Sequence, residues 1–187
     1  ESHWCDSHVQ LPEWSDYNPE FYLLNGRVYP DTLLPNGEGT DKKTGDLIAP
    51  PGHPELQYQP MSSLVACNEG DRVLLRMINL GFEEQAMHLS GIRMRVVGKD
   101  ATALRGRDTT DLTYRTSTVP IGPGESTDAI FVAPPFDPAR APNGYNTYLF
   151  YTRNYHRLSN GGHGGYGGAM TEVRVFPANS VPAQTAP

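Results

Sequence analysis

The sequence predicts an all-β protein, a sandwich of two sheets whose short strands are joined by long loops rich in glycine and proline. Gly 19 and Pro 17 together make up about a fifth of the 187 residues, a share typical of a chain with many turns. Apolar residues alternate with polar ones in short bursts, and no segment keeps a helical period over three turns. Short, half-buried strands between turns are typical of a two-layer β fold.

The strand candidates follow one another along the chain. In the clearest, RVLLRMINL, apolar residues alternate after the turn NEGD, which predicts a half-buried strand. The predicted strands are Phe21 to Tyr29, Arg72 to Leu80, Gln85 to Ser90, Ile92 to Gly98, Thr127 to Ala133, Thr147 to Arg153 and Met170 to Phe176. Turn-forming runs such as IGPGES and APPFDPARAPNG separate them.

The chain is predicted to have three parts. Residues 1–20 form an N-terminal linker segment, residues 21–176 the sandwich domain, and residues 177–187, PANSVPAQTAP, a linker or tail. Inside the domain, residues 35–55 are rich in Pro, Gly and charge and predict a surface excursion between strands. A linker-like end and a start without signal-peptide features indicate a piece of a longer protein, from which any targeting segment has been removed.

Charge and hydropathy argue against two classes of partner. The formal net charge is -6 and the sequence pI is near 5.4, whereas a nucleic-acid surface needs clustered Lys and Arg to neutralise phosphates. No apolar run approaches the ~18 residues that cross a bilayer. The sequence therefore predicts no nucleic-acid partner and no membrane partner, and the negative charge predicts no acidic partner either.

A family resemblance is carried by GDRVLLRMINLG, HLSGIRMRVVGKDA, VPIGPGESTDAIFVAP, YLFYTRNYH and GGAMTEVRVF, preceded by NGRVYPDTL. In order and spacing these motifs resemble the middle (second) cupredoxin-like domain of three-domain, laccase-like multicopper oxidases, from about Phe21 to Phe176. The resemblance implies a cupredoxin-like Greek-key β-sandwich in a secreted, extracellular or periplasmic parent. It also implies that the parent oxidises phenols, amines or metal ions and reduces dioxygen to water, with copper in the flanking domains.

The late copper motif of that family is incomplete in this chain. A blue-copper site needs two imidazoles, a thiolate and a weak axial thioether. The resemblance implies that the thiolate lies in an H-C-H pattern with a Met downstream. The matching stretch keeps His156 and Met170 but has no cysteine, so a blue-copper site is not expected.

The family's ligand strand, H-x-x-H-x-H-G, is matched by QAMHLSG. Gln85 and Ser90 occupy the outer histidine positions, and only His88 is retained. One neutral imidazole does not hold copper against water and buffer ligands. His88 is therefore predicted to be structural, on the strand face opposite to Met87 and Leu89.

Other metal and redox alternatives stay open. In ESHWCDSH, a free amine followed by His3 could wrap Cu(II) in a square plane if Glu1 is the true N-terminus. A weak type 2 copper site could draw on His156, His163 or Met170. Cys5 and Cys67 either form one disulfide or remain separate thiols.

Two functions are weighed. The first is a copper-free, non-catalytic spacing domain whose partners are the flanking cupredoxin domains, with no catalytic or cofactor-binding residue of its own. Such a domain should expose a larger apolar patch than a monomer normally does. The alternative is an independent β-sandwich binding module that presents the loops at residues 35–55, 134–146 and 159–168 to a glycan or a protein.

Overall fold

Among the residues that the computed structural model describes, 19–37, 39–59, 61–160 and 165–182, the chain forms β-strands and short 3₁₀ turns and no α-helix. The strands are β1 (Gly39–Thr40), β2 (Leu47–Ile48), β3 (Val65–Asn68), β4 (Arg72–Ile78), β5 (Gln85–Leu89), β6 (Met94–Lys99), β7 (Thr102–Ala103), β8 (Tyr114–Thr116), β9 (Thr118–Ile121), β10 (Ser126–Val132), β11 (Asn146–Thr152) and β12 (Met170–Phe176). The 3₁₀ turns are Asp31–Leu33, Pro54–Leu56, Pro138–Arg140 and Tyr155–Leu158. No helix in this described part is long and apolar enough to cross a bilayer.

Two five-stranded sheets form the sandwich. The first has the order β4-β10-β6-β7, with β8 also paired to β6, and the second has the order β3-β12-β11-β5-β9. Strands β3 to β6 fall alternately in the second and the first sheet, and β3 pairs with β12 in parallel, whereas the other pairings within the two sheets are antiparallel. The predicted two-sheet Greek-key sandwich is confirmed.

The core lies between the two sheets and follows the alternation of the strands. In β10, Ala129 and Phe131 are 0% and 1% exposed, whereas Val132, on the opposite face, is 59% exposed. Each fully buried Val, Leu, Ile, Phe or Met side chain of this core contributes about 1.5–3 kcal/mol. The buried cluster is Cys67, Leu75, Met87, Leu89, Ile92, Met94, Val96, Val119, Ile121, Ala129, Phe131, Ala133, Phe150, Val173 and Val175.

The predicted strand from Phe21 to Tyr29 is wrong. This segment forms only an isolated bridge between Leu24 and Arg27, closed by Asn25 and Gly26 with φ of 51° and 78°. Two consecutive residues in the left-handed region are what an Asn-Gly hairpin turn requires. The segment therefore folds back on itself and joins no sheet.

The turn places Arg27 inside the protein, where it is 2% exposed. Its Nε donates to the Gln59 carbonyl at 2.7 Å, its Nη1 to the Leu34 carbonyl at 2.8 Å, and its Nη2 to the Pro35 carbonyl at 3.1 Å. Burying a guanidinium is unfavourable unless its donors are satisfied. These carbonyls satisfy the donors and tie the loop 27–37 to the segment before β3.

Candidate functional site

The positions that match the family's ligand strand lie on β5, between β11 and β9 in the second sheet. Met87 and Leu89 point into the core, with 5% and 0% exposure. His88 is half-buried on the outer face, as the alternation predicts. Gln85 is the first residue of β5, and Ser90 directly follows the strand. The structure therefore describes all three positions that correspond to the family's histidines.

The His88 imidazole is held by neighbours on both adjacent strands. Its Nδ1 lies 2.8 Å from Oγ1 of Thr118, and its ring contacts Tyr151 edge-to-face with the ring centroids 5.5 Å apart. Burial, and next the Arg153 cation, lower the pKa of His88, while a backbone hydrogen bond at Ser117 acts in the other direction. The imidazole is therefore neutral at pH 7.

The two other positions on this strand are not arranged as ligands. Gln85 Oε1 is buried and has no hydrogen-bond partner among the described residues. The Ser90 amide donates to the Leu149 carbonyl at 2.9 Å, which extends the pairing with β11. An amide and a hydroxyl are hard oxygen donors, whereas imidazole and thiolate are the donors that copper selects.

The structure separates His88 from Met170. Tyr151 lies opposite His88 on one side and opposite Met170 on the other, so a whole strand stands between the two. Neighbouring strands are about 4.8 Å apart, which places the His88 and Met170 backbones about 10 Å from one another. Met170 is also buried, at 3% exposure, and Thr32 donates to its carbonyl at 2.9 Å.

A cluster around Arg157 closes this end of the sheet, and the sequence reasoning missed it. Arg157 is 7% exposed; its Nη2 lies 2.6 Å from Glu83 Oε2, and its Nη1 donates to the Glu84 carbonyl. The guanidinium also lies 5.4 Å from the centre of the Tyr22 ring, and its Nε lies 3.2 Å from His156 Nε2. A buried cation paired with a carboxylate thus lies beside the exposed His156. The only sequence signal for it is the acidic pair Glu83 and Glu84 directly before β5.

Gly168 makes this closure possible. Its amide donates to the Leu158 carbonyl at 3.1 Å, and the Ala169 amide donates to the Arg157 carbonyl at 3.1 Å. A Cβ on Gly168 would collide with the Arg157 carbonyl, whereas a Cβ on Gly167 would come no nearer than 3.9 Å to the Tyr29 carbonyl oxygen. The start of β12 therefore needs a glycine at 168 to pass the 3₁₀ turn Tyr155–Leu158.

The remaining metal and redox candidates fall into two groups. His3, His163 and Cys5 lie outside the described residues. Cys67 is a buried free thiol, 4% exposed, and burial, assisted by the Asp71 carboxylate, raises its pKa to about 11. Such a thiol is protonated and inert at neutral pH.

Comparison with known proteins identifies the family of this chain. Residues 30–137, more than half of the chain, match the family model described as multicopper oxidase. The chain belongs to the multicopper oxidase family. No curated protein sequence matches it.

Two solved multicopper oxidases show the extent of the likeness. The multicopper oxidase mgLAC shares 26% identity over 67% of this chain with a TM-score of 0.50. The blue copper oxidase from Nitrosomonas europaea shares 24% identity over 62% of this chain, also with a TM-score of 0.50, and supports the fold alone. The chain spans 33% and 31% of their lengths, respectively, about one third of each.

The described residues around His88 do not have the donor set that a copper ion needs. Among the described residues, no group of three or more His, Cys, Asp and Glu side chains is arranged to hold a metal. Cys67 lies on β3, three strands away from His88 in the sheet order. The charged group that acts on the His88 imidazole is the Arg153 cation, which opposes the approach of a metal ion. No copper chemistry is assigned to these side chains.

Proposed function

We propose that this chain is the copper-free, non-catalytic central domain of a secreted or periplasmic laccase-like multicopper oxidase. Its role is to space and orient the flanking cupredoxin domains, which hold the copper, so that their ligands converge. The parent oxidises phenols, amines or metal ions and reduces dioxygen to water. The observation that carries the proposal is the environment of His88, whose imidazole is engaged by Thr118 and Tyr151 instead of by further ligands.

The Arg157 end of the domain supports a role between neighbours. Hydrogen bonds join three segments there: the Tyr22 amide donates to Asn160 Oδ1 at 2.9 Å, and the Tyr22 hydroxyl donates to Glu83 Oε2 at 3.4 Å. Each segment carries a large exposed apolar side chain within five residues of these contacts in the sequence. These are Phe21 (65% exposed), Leu23 (50%), Leu80 (82%), Phe82 (65%) and Tyr155 (63%). Exposed apolar side chains gathered on adjoining segments are typical of a surface that another domain covers.

The proposal is tested in the full-length polypeptide. Replacing His88 by Gln should leave the number of copper ions per polypeptide unchanged, because His88 holds none. Thr118→Val serves as the control, since it removes the same hydrogen bond without touching an imidazole. Loss of a whole copper equivalent in the His88→Gln variant, with full copper in Thr118→Val, would refute the spacing role.

The coding sequence on either side of the chain gives a second test. HxH and HCH motifs both before and after the 187 residues would support a central position between copper domains. A native stop codon close after Pro187 would favour the independent binding module instead.

A further inference from the structure

The outer face of the first sheet carries a groove of about 760 Å³ whose rim is basic. Arg72, Arg93, Arg95 and Arg115 line it, together with apolar side chains that include Val97 and Ile130, and none of the lining residues that the structure describes is Asp or Glu. This concentration of positive charge is unexpected on a chain with a net charge of -6.

Strand register explains why the arginines converge. Ile130 of β10 lies opposite Arg95 of β6, and Arg95 lies opposite Arg115 of β8. Residues directly opposite one another project on the same face of a sheet. Arg72, opposite Val132 on the other side of β10, extends the row to the edge strand β4.

Arg95 is held by partners within the protein, whereas the other three arginines of the groove are available to a ligand. Arg95 Nε donates to Thr113 Oγ1 at 2.7 Å and its Nη2 lies 2.5 Å from Asp111 Oδ2. Among the described residues, no carboxylate forms an ion pair with Arg72, Arg93 or Arg115, and all three are exposed. Guanidinium groups without a partner are suited to bidentate contacts with incoming carboxylates.

We propose that this groove docks an extended acidic peptide segment of a partner protein, with its carboxylates on the arginines and its apolar side chains on Val97, Ile130 and Val132. The arginines of the groove thus favour an acidic partner, the class that the negative net charge of the whole chain argued against. A free inorganic anion would leave the apolar floor uncovered, and a flat bilayer does not enter a concave groove. From Arg72 on β4 to Arg115 on β8 there are three strand spacings, about 14 Å, which four to five residues of extended peptide span.

The test is direct binding of a labelled eight-residue peptide, Asp-Asp-Val-Val repeated twice, to the 187-residue chain, followed by fluorescence polarisation. In an extended conformation each face of this peptide carries both carboxylates and apolar side chains. Arg93→Glu/Arg115→Glu should weaken binding by about tenfold or more, because reversing two charges at a charged interface turns attraction into repulsion. The control Lys43→Glu/Arg140→Glu changes the net charge equally at exposed positions outside the groove and should weaken binding by less than about threefold. Ile130→Thr should weaken binding as well, since it removes apolar floor. Matching thermal unfolding of the three variants and the wild type excludes misfolding.

Other outcomes overturn the proposal. Equal weakening in both charge-reversed variants would mean that the attraction is general and not seated in the groove. Equal competition by inorganic phosphate would mean a simple anion site. Preferential binding of an anionic phospholipid vesicle or of a single-stranded oligonucleotide through the same arginines would mean a different partner class. Concentration-dependent dimerisation that Arg93→Glu/Arg115→Glu abolishes would mean that the occupant is a second copy of the chain.

Discussion

Replacing Arg157 by Met removes the cation that closes the end of β5 and β11 while keeping a flexible side chain of similar length. The Arg157 side chain is 8% exposed and that of its partner Glu83 is 29% exposed. Removing one partner of a buried ion pair destabilises a protein by about 3–5 kcal/mol, because the other charge is left without compensation. Glu83 keeps some access to water and can be partly rehydrated, so we expect a loss of about 2–4 kcal/mol.

A double-mutant cycle separates the ion pair from the other contacts of Arg157. Glu83→Gln leaves the more buried Arg157 cation without its carboxylate, although the hydrogen bond to the Glu84 carbonyl remains, and should destabilise by about 2–4 kcal/mol. The double variant should be less destabilised than the sum of the single variants by about 1–2 kcal/mol. Urea unfolding at pH 7, followed by far-ultraviolet circular dichroism, gives the four free energies of unfolding. A loss below about 1 kcal/mol for Arg157→Met, or a coupling energy near zero, would refute the claim that this pair closes the sheet.

Three further predictions concern single positions. Gly168→Ala should lower the free energy of unfolding by about 3 kcal/mol or more, because its Cβ would collide with the backbone. Gly167→Ala, the control, should change the free energy of unfolding by less than about 1 kcal/mol. Equal losses of the two variants in urea unfolding would contradict the steric explanation. In a Cys5→Ser background, Cys67 should not react with iodoacetamide in the folded protein at pH 8, because only about 0.1% of a thiol with a pKa of about 11 is ionised at that pH. The same thiol should react when urea unfolds the protein. Rapid labelling of the folded protein would disprove the burial of Cys67. The pKa of His88 is lowered from 6.5 in the folded protein, so the unfolded chain takes up this proton first as the pH falls. Wild-type stability should therefore fall below about pH 6.5 relative to His88→Gln, and parallel stability curves from pH 5 to 8 would count against the lowered pKa.

The sequence was sufficient for the longer strands. Short apolar runs bounded by turn signals predicted β4, β10 and β11 to within two residues at either end, and burial alternates along each of these strands in the structure. Short strands such as β3 and β9 lack enough residues to show a period, and their pairing depends on distant partners. The turn at Asn25 and Gly26 was hidden inside an apolar run, where turn chemistry outweighed β propensity.

Some features of the candidate site could also be predicted from the sequence, and others could not. The orientation of His88 followed from the alternation of β5, and its loss of companion ligands followed from the residues at Gln85 and Ser90. The Arg157 cluster and the arginine groove could not be predicted, because both bring together residues far apart in the chain. Net charge was also misleading at the groove, since it sums over the whole surface and says nothing about how arginines on neighbouring strands line up.

The most direct test of the central claim is the copper content of the purified 187-residue chain after loading with Cu(II) and desalting, with electron paramagnetic resonance on the same sample. The His88→Gln variant is measured in parallel, which separates β5 from the N-terminal residues around His3. Both proteins carry His3→Ala, because the free amine of Glu1 followed by His3 can itself bind Cu(II). We predict less than about a tenth of an equivalent of copper, equal in both proteins, because a single neutral imidazole does not retain the ion. One tightly held equivalent with a copper signal that the His88→Gln variant lacks would contradict the account and make this domain a copper protein in its own right.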